Sequence, residues 1–459
     1  PPMENINLEI SNLGPLNKAN INLKRINVVV GKNGVGKSTA SKVLECFLTP
    51  ATEEGFKLSY NSISKQLLNI LHKIRMVIKH ENRSIKFEKF YFEFENFYWD
   101  IREKLRNCDV SFEESINDFL FEEIIINIKK FIDIIDNENR KYDILKRLTK
   151  LEESIDINND PYKRYFKVNN TILKSEFDSI DDKTFIKFTG KNFNQKFTFK
   201  NGSISENNIN ENLFNFFNNF SNVIYVDSLS LLDYHGSSEF MYTEPYHLDA
   251  INNKIKKNKK INVYEDIFNE EIFSFKRKID ELLGGEFDFD PSEREFIFKS
   301  SSNKYSLKNV ASGFKQIGVI QRLLMNNELI PDSFLIIDEP EVNLHPEWQV
   351  KFAEILVLAV KELNITLYIN THSPFFAEAI EVYSAYYNLK DDSNFYIATN
   401  PEDNDKSNFK LVNDNISEVY VHLGYPFNII NQIRFKTEVL GNTKWITHHP
   451  LIIMLLLIF

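Results

Sequence analysis

The chain opens on alternating apolar and polar positions, "INLEIS" and "KANINL", followed by a continuous apolar run, "INVVV", at residues 26–30. Period-two alternation and a short run of this kind predict three strands, with "NLGPLNK" as the first turn. A helix is expected from about Lys37. From about residue 52 to 160 the apolar positions recur every three or four residues instead, as at Ile124, Ile128, Phe131 and Ile135, then Tyr142, Leu145 and Leu148. That period predicts amphipathic helices. Each is expected to be short, because "NENR" and "ESIDINND" interrupt any heptad seam after about three heptads, which argues against a long coiled-coil arm.

Residues 165–203 read as strands, with "TFIKFTG" and "KFTFKNG" alternating and ending in glycine turns. "NVIYVDS", residues 222–228, has the pattern of a buried strand returning to the main sheet. Residues 261–283 are helical in period and stop at Gly284-Gly285, after which "GEFDFD" and "REFIFK" predict a strand pair. Further on, "SFLIIDEPE" and "ITLYINTHSP" are apolar runs that end in polar turns, and "EWQVKFAEILVLAVKEL" between them is helical. Strand, helix and strand at this spacing predict an α/β fold with a parallel, doubly wound sheet, whose ligands sit at the carboxyl ends of the strands. The breaks divide the chain into a first lobe at 1–50, an inserted helical and small β-containing region at 51–220, a second lobe at 221–430 and an apolar tail at 431–459.

Composition narrows the function classes. With 459 residues, 42 % of them hydrophobic, the chain can bury a substantial core. A net charge of −10 argues against a protein that coats nucleic acid non-specifically. DNA stays a candidate partner only through a local basic run such as "NKIKKNKK", residues 253–260, which reads as an exposed loop. Cys46 and Cys108 stand far apart and in no CxxC arrangement, so neither a disulfide framework nor a cysteine-built zinc site is expected, and a cytoplasmic location fits. No basic segment followed by an apolar run marks a secretory signal, and the longest apolar stretch, "PLIIMLLLIF" at 450–459, is half of the ~20 residues a membrane-spanning helix needs. As an exposed apolar run that tail would be an aggregation hazard, so either burial against another chain or poor solubility is expected.

Four short motifs carry candidate chemistry. Gly31, Gly36, Lys37 and Ser38 match G-x-x-x-x-G-K-[ST] without gaps, with Asn33, Gly34 and Thr39 completing "GKNGVGKST". Glycines let the backbone wrap a phosphate with its N–H groups turned inward. Lys37 would reach the β- and γ-phosphates, Ser38 would ligate Mg²⁺, and the helix that follows would turn its positive end to the anion. Asp338 and Glu339 close "FLIID"; Asp338 suits a carboxylate that holds Mg²⁺ through water, from a strand expected to neighbour the phosphate loop, and Glu339 suits a general base. In "NVASGFKQIGVIQRLL" a serine and a glycine, Ser312 and Gly313, with Gln316 after them, open a helix 26 residues before Asp338, an anion site of the same physical type as the phosphate loop. His372, in "NTHSP", lies just past a strand end, where an imidazole can contact a γ-phosphate or position water.

In this order the four motifs resemble the ABC-type ATPases. "DEPEVNLHP" with "THSP" resembles, more narrowly, the branch that holds the SMC-like proteins, the AAA-family ATPase domains of OLD-like nucleases, and antiphage systems such as Septu, Gabija and PARIS. The resemblance covers residues 5–50 and 220–390. It implies a P-loop head with a mixed sheet, ATP and Mg²⁺ as cofactors, and hydrolysis by Glu339 with His372 as the switch histidine. It also implies a homodimer in which Ser312 and Gly313 of one subunit close on nucleotide held by residues 31–39 of the other, with Asn343 and His345 in the loop that crosses between subunits. The sequence departs from the pattern in having "ASGFKQ" for LSGGQ, and in lacking a glutamine after "NVIYVDS", where Asp227 or Ser228 would have to take its place.

The function so implied is an ATPase whose ATP-dependent dimer controls a partner effector, a nuclease or toxin, in antiviral defence. An OLD-type nuclease would need a C-terminal metal site, for which Asp403-Asn404-Asp405 inside "NPEDNDKSN" is the one D-x-D after the switch histidine, and it reads as a solvated turn. A long-armed repair or chromosome ATPase would need sustained heptads, and a transporter subunit has no place for so large an insertion.

Overall fold

The computed structural model describes residues 6–80, 85–106, 118–135, 137–227, 245–257, 270–293, 295–300, 303–306, 310, 312–400 and 406–442. Three strands open it: β1 (Ile6–Leu13), β2 (Leu16–Leu23) and β3 (Ile26–Gly31), followed by helix α1 (Lys37–Leu48). Five helices come next, α2 (Glu53–His80), α3 (Ile85–Arg106), α4 (Asp118–Ile132), α5 (Glu138–Asn159) and α6 (Pro161–Glu176). Strands β4 (Phe185–Gly190), β5 (Phe193–Lys200) and β6 (Ser203–Ile204) lead through α7 (Glu211–Asn218) to β7 (Val223–Val226). Beyond them lie α8 (Tyr246–Lys256), α9 (Glu270–Leu283), and strands β8 (Gly285–Asp290), β9 (Glu295–Ser300) and β10 (Lys304–Ser306). They are followed by α10 (Ser312–Met325), β11 (Phe334–Asp338), α11 (Pro346–Leu363), β12 (Thr366–Thr371), α12 (Pro374–Tyr386), β13 (Ser393–Thr399), β14 (Ser407–Leu411) and α13 (Ser417–Asn442).

One eleven-stranded sheet organises the head, in the order β6-β5-β4-β1-β2-β14-β13-β3-β12-β11-β7. Its right-hand half, β13-β3-β12-β11-β7, is parallel, and its left-hand half is built mostly from antiparallel hairpins. This is the α/β architecture the pattern predicts. The central strands are buried on both faces, which is why "INVVV", "FLIID" and "TLYIN" read as continuous rather than alternating runs. Val28 and Val30 point into one core with α8 to α12, whereas Val29 points into the other with α1, α6 and α7. A second sheet, β10-β9-β8, is the predicted strand pair with one further strand.

Helices α2 to α5 share a separate core drawn wholly from residues 60–155. The expectation of short helices here is corrected, since α2 has 28 residues and α3 and α5 have 22 each. "NENR" is a true break, because Asn137 caps α5 by accepting from the Arg140 N–H, but "ESIDINND" lies almost wholly within that helix. The apolar face of α5 also differs from the predicted one: Ile144, Leu148, Leu151 and Ile155 are buried, whereas Tyr142 and Leu145 face outward. Residues 165–176, expected as strand, are the body of α6. The hairpin begins only at Phe185 and extends the main sheet through β1. "NKIKKNKK" is helical up to Lys256 rather than a loop; Lys254 is buried against Glu54 and Glu328, and Lys257 pairs with Glu328. Residues 431–442, expected as part of the apolar tail, belong to α13; the tail from 443 onward, residues 258–260, and Asp403 and Asp405 lie outside the described residues. No helix among the described residues is long and apolar enough to cross a membrane.

Candidate functional site

The phosphate loop leaves β3, which lies between β13 and β12 in the parallel half, and enters α1. Gly36 sits at φ 82°, where a Cβ would also lie 2.5 Å from Leu16, so the loop needs glycine for conformation and for space. Lys37 folds back over the loop and donates to the carbonyls of Gly31 at 2.8 Å and Lys32 at 2.9 Å. Burial pulls its ammonium below the ordinary lysine value, against the opposing pull of Glu339, Asp338 and Glu341. Asn33, Gly34 and Ser38 are exposed and Thr39 is half-buried, with the Ser38 hydroxyl close enough to Asp338 to help hold its carboxyl down.

Asp338 ends β11, which is not the strand beside β3: β12 runs between them. Asn370 of β12 bridges the gap, its Nδ2 donating to Asp338 Oδ1 at 2.5 Å and to Ser41 Oγ at 2.7 Å. Ser41 and Tyr225 donate to the two Asp338 oxygens, each at 2.8 Å. Burial pushes this carboxyl above its usual range, while the hydrogen bonds from Ser38, Ser41, Tyr225 and Asn370 pull it down.

Glu339 has φ 49°, a left-handed conformation that a non-glycine residue adopts only where its surroundings hold it. The turn so formed aims Glu339 toward His372, Nδ1 of which lies 3.7 Å from Oε1 of Glu339. The histidine is oriented by an acid to which the sequence reading gave no role, Glu341. Its side chain is 3 % exposed, against 28 % for Glu339 and 43 % for His372. Glu341 Oε1 accepts from Thr371 Oγ1 at 2.7 Å and from the N–H groups of His372 at 2.7 Å and Ser373 at 3.1 Å, and it lies 3.1 Å from His372 Nδ1. The signal was present in "DEPE", whose second glutamate falls where a buried acid can collect the donors at the end of β12.

Ser312 and Gly313 open α10 as expected, and Gln316 is buried on it. Phe314 packs at a tilt against Trp348, ring centroids 4.6 Å apart, which ties the start of α10 to α11 beside the Asn343–His345 turn. Asn343 is left-handed at φ 63°, and His345 caps α11. Asp227, considered as a magnesium partner, is engaged elsewhere, with its Oδ2 3.3 Å from His247 Nε2. Ser228 lies outside the described residues.

The donor set fits a polyphosphate with its magnesium ion. The first N–H groups of α1 have no acceptor within the helix, Gly34 and Gly36 turn the preceding ones into a concavity, and Lys37 adds a buried cation. A family profile described as AAA ATPase domain matches residues 3–377. The chain belongs to that family. Among solved structures it is similar to the SMC head domain from Thermotoga maritima, at 13 % identity and a TM-score of 0.35 over 88 % of this chain and 98 % of that one. It is also similar to an Smc head domain with an extended coiled coil bound to the C-terminal domain of ScpA, derived from Pyrococcus furiosus, at 10 % identity and a TM-score of 0.31 over 93 % and 98 %. The dimeric structure of MJ0796, a bacterial ABC transporter cassette, matches at 11 % identity and a TM-score of 0.22 over 44 % and 68 %. No curated protein matches the chain.

Proposed function

We propose that this AAA-family ATPase domain binds Mg·ATP and hydrolyses it in a site completed by a second copy of the chain, and that the closed pair controls a partner effector. The observation that carries the reading is the convergence of Lys37, Ser38, Asp338 and Glu339 at one edge of the sheet, with His372 beside Glu339. Lys37 and the loop N–H groups would bind the phosphates, while Ser38 and Asp338 would hold Mg²⁺, which neutralises charge on the β- and γ-oxygens when bound. Glu339 would take a proton from water as the water oxygen bonds to the γ-phosphorus and the bond from that phosphorus to the β,γ-bridging oxygen breaks, with ADP as the leaving group and inorganic phosphate as the second product. His372, held by Glu341, would contact the γ-phosphate.

Two subunits are invoked because Ser312 and Gly313 sit on a helix anchored through Phe314 to Trp348, beside the Asn343–His345 turn. The role of effector control, by a nuclease or toxin in antiviral defence, follows from the resemblance of "EPEVNLHP" and "THSP" to that branch. The alternative of a long-armed repair or chromosome ATPase is less favoured, since α2 to α5 fold back on a shared core. The test is Glu339→Gln with Mg·ATP. Size-exclusion chromatography with light scattering should find a nucleotide-bound dimer that the wild type holds only transiently. A variant that binds ATP yet stays monomeric removes the two-subunit site, and a wild type that neither binds nor hydrolyses ATP removes the ATPase reading.

A further inference from the structure

Behind the phosphate loop, one helical turn beyond Ser41, lies a second polar cluster that the ATPase chemistry does not use. Glu45 of α1, Glu176 at the end of α6 and His247 at the start of α8 are all buried, and each offers a ligand atom within 4.8 Å of the other two. Glu45 is 2 % exposed, and its Oε2 is buried with no hydrogen-bond partner among the described residues. A carboxylate oxygen in that position costs free energy unless something absent from the protein's own side chains satisfies it. Glu176 Oε2 lies 2.8 Å from His247 Nδ1, and its Oε1 accepts from the His247 N–H at 2.9 Å, which fixes the helix start against the carboxylate. On the far side of the ring, His247 Nε2 lies 3.3 Å from Asp227 Oδ2, and Tyr225 stacks on the imidazole at 4.7 Å.

We infer that Glu45, Glu176 and His247 form a binding site for a divalent first-row transition ion, separate from the magnesium position at Ser38 and Asp338. Two carboxylates and an imidazole form a donor set suited to Mn²⁺ or Zn²⁺. His247 would ligate through Nδ1 while Nε2–H donates to Asp227, the carboxylate–histidine–metal arrangement that fixes tautomer and ring orientation. The ion satisfies the orphaned Glu45 oxygen and clamps α1, α6 and α8 together. Lys42 Nζ is 3.3 Å from Glu176 Oε2 and competes for that oxygen; its side chain is a quarter exposed on a flexible stem, so it can turn to solvent when the ion enters.

The experiment uses the full chain, freed of metal and nucleotide, and titrates Zn²⁺ and Mn²⁺ separately with metal counting after gel filtration. One equivalent should stay with the wild type and also with Ser38→Ala, which lacks the magnesium-binding hydroxyl. Glu45→Gln and His247→Gln should each weaken it at least tenfold, and Asp227→Asn by about 10- to 100-fold. Should a buried variant not fold, Asp227→Asn and pulsed electron paramagnetic resonance of the Mn²⁺-loaded wild type decide, because a bound imidazole gives a ¹⁴N coupling. Failure of the wild type to retain metal, absence of that coupling, or equal affinity in all folded variants, meaning an adventitious ion only, would overturn the assignment.

Discussion

At the scale of single residues, the site turns on which acids are buried and which are free to act. Glu339 is partly exposed and strained, whereas Glu341 is buried and collects three donors on one oxygen. Replacing Glu341 by Gln keeps an acceptor but removes its charge, and hydrogen bonds to charged groups contribute about 1.5–3 kcal/mol. We therefore expect Glu341→Gln to slow ATP hydrolysis by roughly 10- to 100-fold through a misplaced His372, with nucleotide affinity almost unchanged. Steady-state turnover and fluorescent-nucleotide titration check it; unchanged turnover would mean that the histidine needs no such support. Gly36→Ala tests the loop itself. It should cost about 3 kcal/mol, from a left-handed Cβ and a collision with Leu16, visible as a lowered urea midpoint. The loop, Asp338, Glu339 and His372 were legible because each stands at a strand end with a recognisable spacing. Asn370, Ser41 and Tyr225 were not, since only the strand order brings them to Asp338.

At the scale of elements, the strands next to the phosphate loop are legible in the sequence, whereas β13 and β14 are not, and one stretch with a strand's composition is a helix. "INVVV" and "FLIID" are strands because short, mainly apolar runs with β-branched residues fit a sheet covered on both faces. Residues 165–176 were misread because Tyr165, Phe166, Val168, Thr171 and Ile172 have strand propensity, while the start signal lay upstream: Asp160 caps α6 and Pro161 occupies its first turn. Once started, the helix buries Tyr165, Asn169, Ile172, Leu173 and Glu176 at a period of three to four. An interaction between elements supplies a pH test. Glu328, just after α10, is buried with Lys254 and Lys257 of the α8 segment and with Asn222. Burial raises its carboxyl, but these partners prevail and the net shift is downward. The folded state therefore holds the proton less tightly than the unfolded chain. The stability so contributed is present above the ordinary glutamate range, near 4.3, and is lost as pH falls through the lower folded value. Wild type and Glu328→Gln should differ by about 3 kcal/mol in urea unfolding at pH 7, and the difference should shrink below about pH 4. A gap that stays constant down to pH 3 would show that the lysines do not stabilise the charged form.

At the scale of the whole molecule, the question is how far the ATPase head depends on the helices inserted into it. The two cores flanking the main sheet are built from strands, α1 and the helices from α6 onward, while the core of α2 to α5 draws on none of those residues. The junction is confined to the root. Glu54 pairs with Lys254 at 3.2 Å, Arg164 lies 4.7 Å over the Phe56 ring, and Leu58 packs against the head core. The sequence marked the insertion by its change of period but could not show that its helices fold back on one another, because that depends on which apolar faces meet. Replacing residues 61–153 by a short Gly-Ser linker keeps the root contacts and removes only the separate core. We expect the shortened chain to unfold cooperatively and to bind ATP within about threefold of the wild type, as distant, independent sites do. Any effector recognition carried by the bundle would be lost while Glu339→Gln in the shortened chain still forms the ATP-bound dimer. Loss of nucleotide binding in a folded, shortened chain would show instead that the bundle is part of the working head.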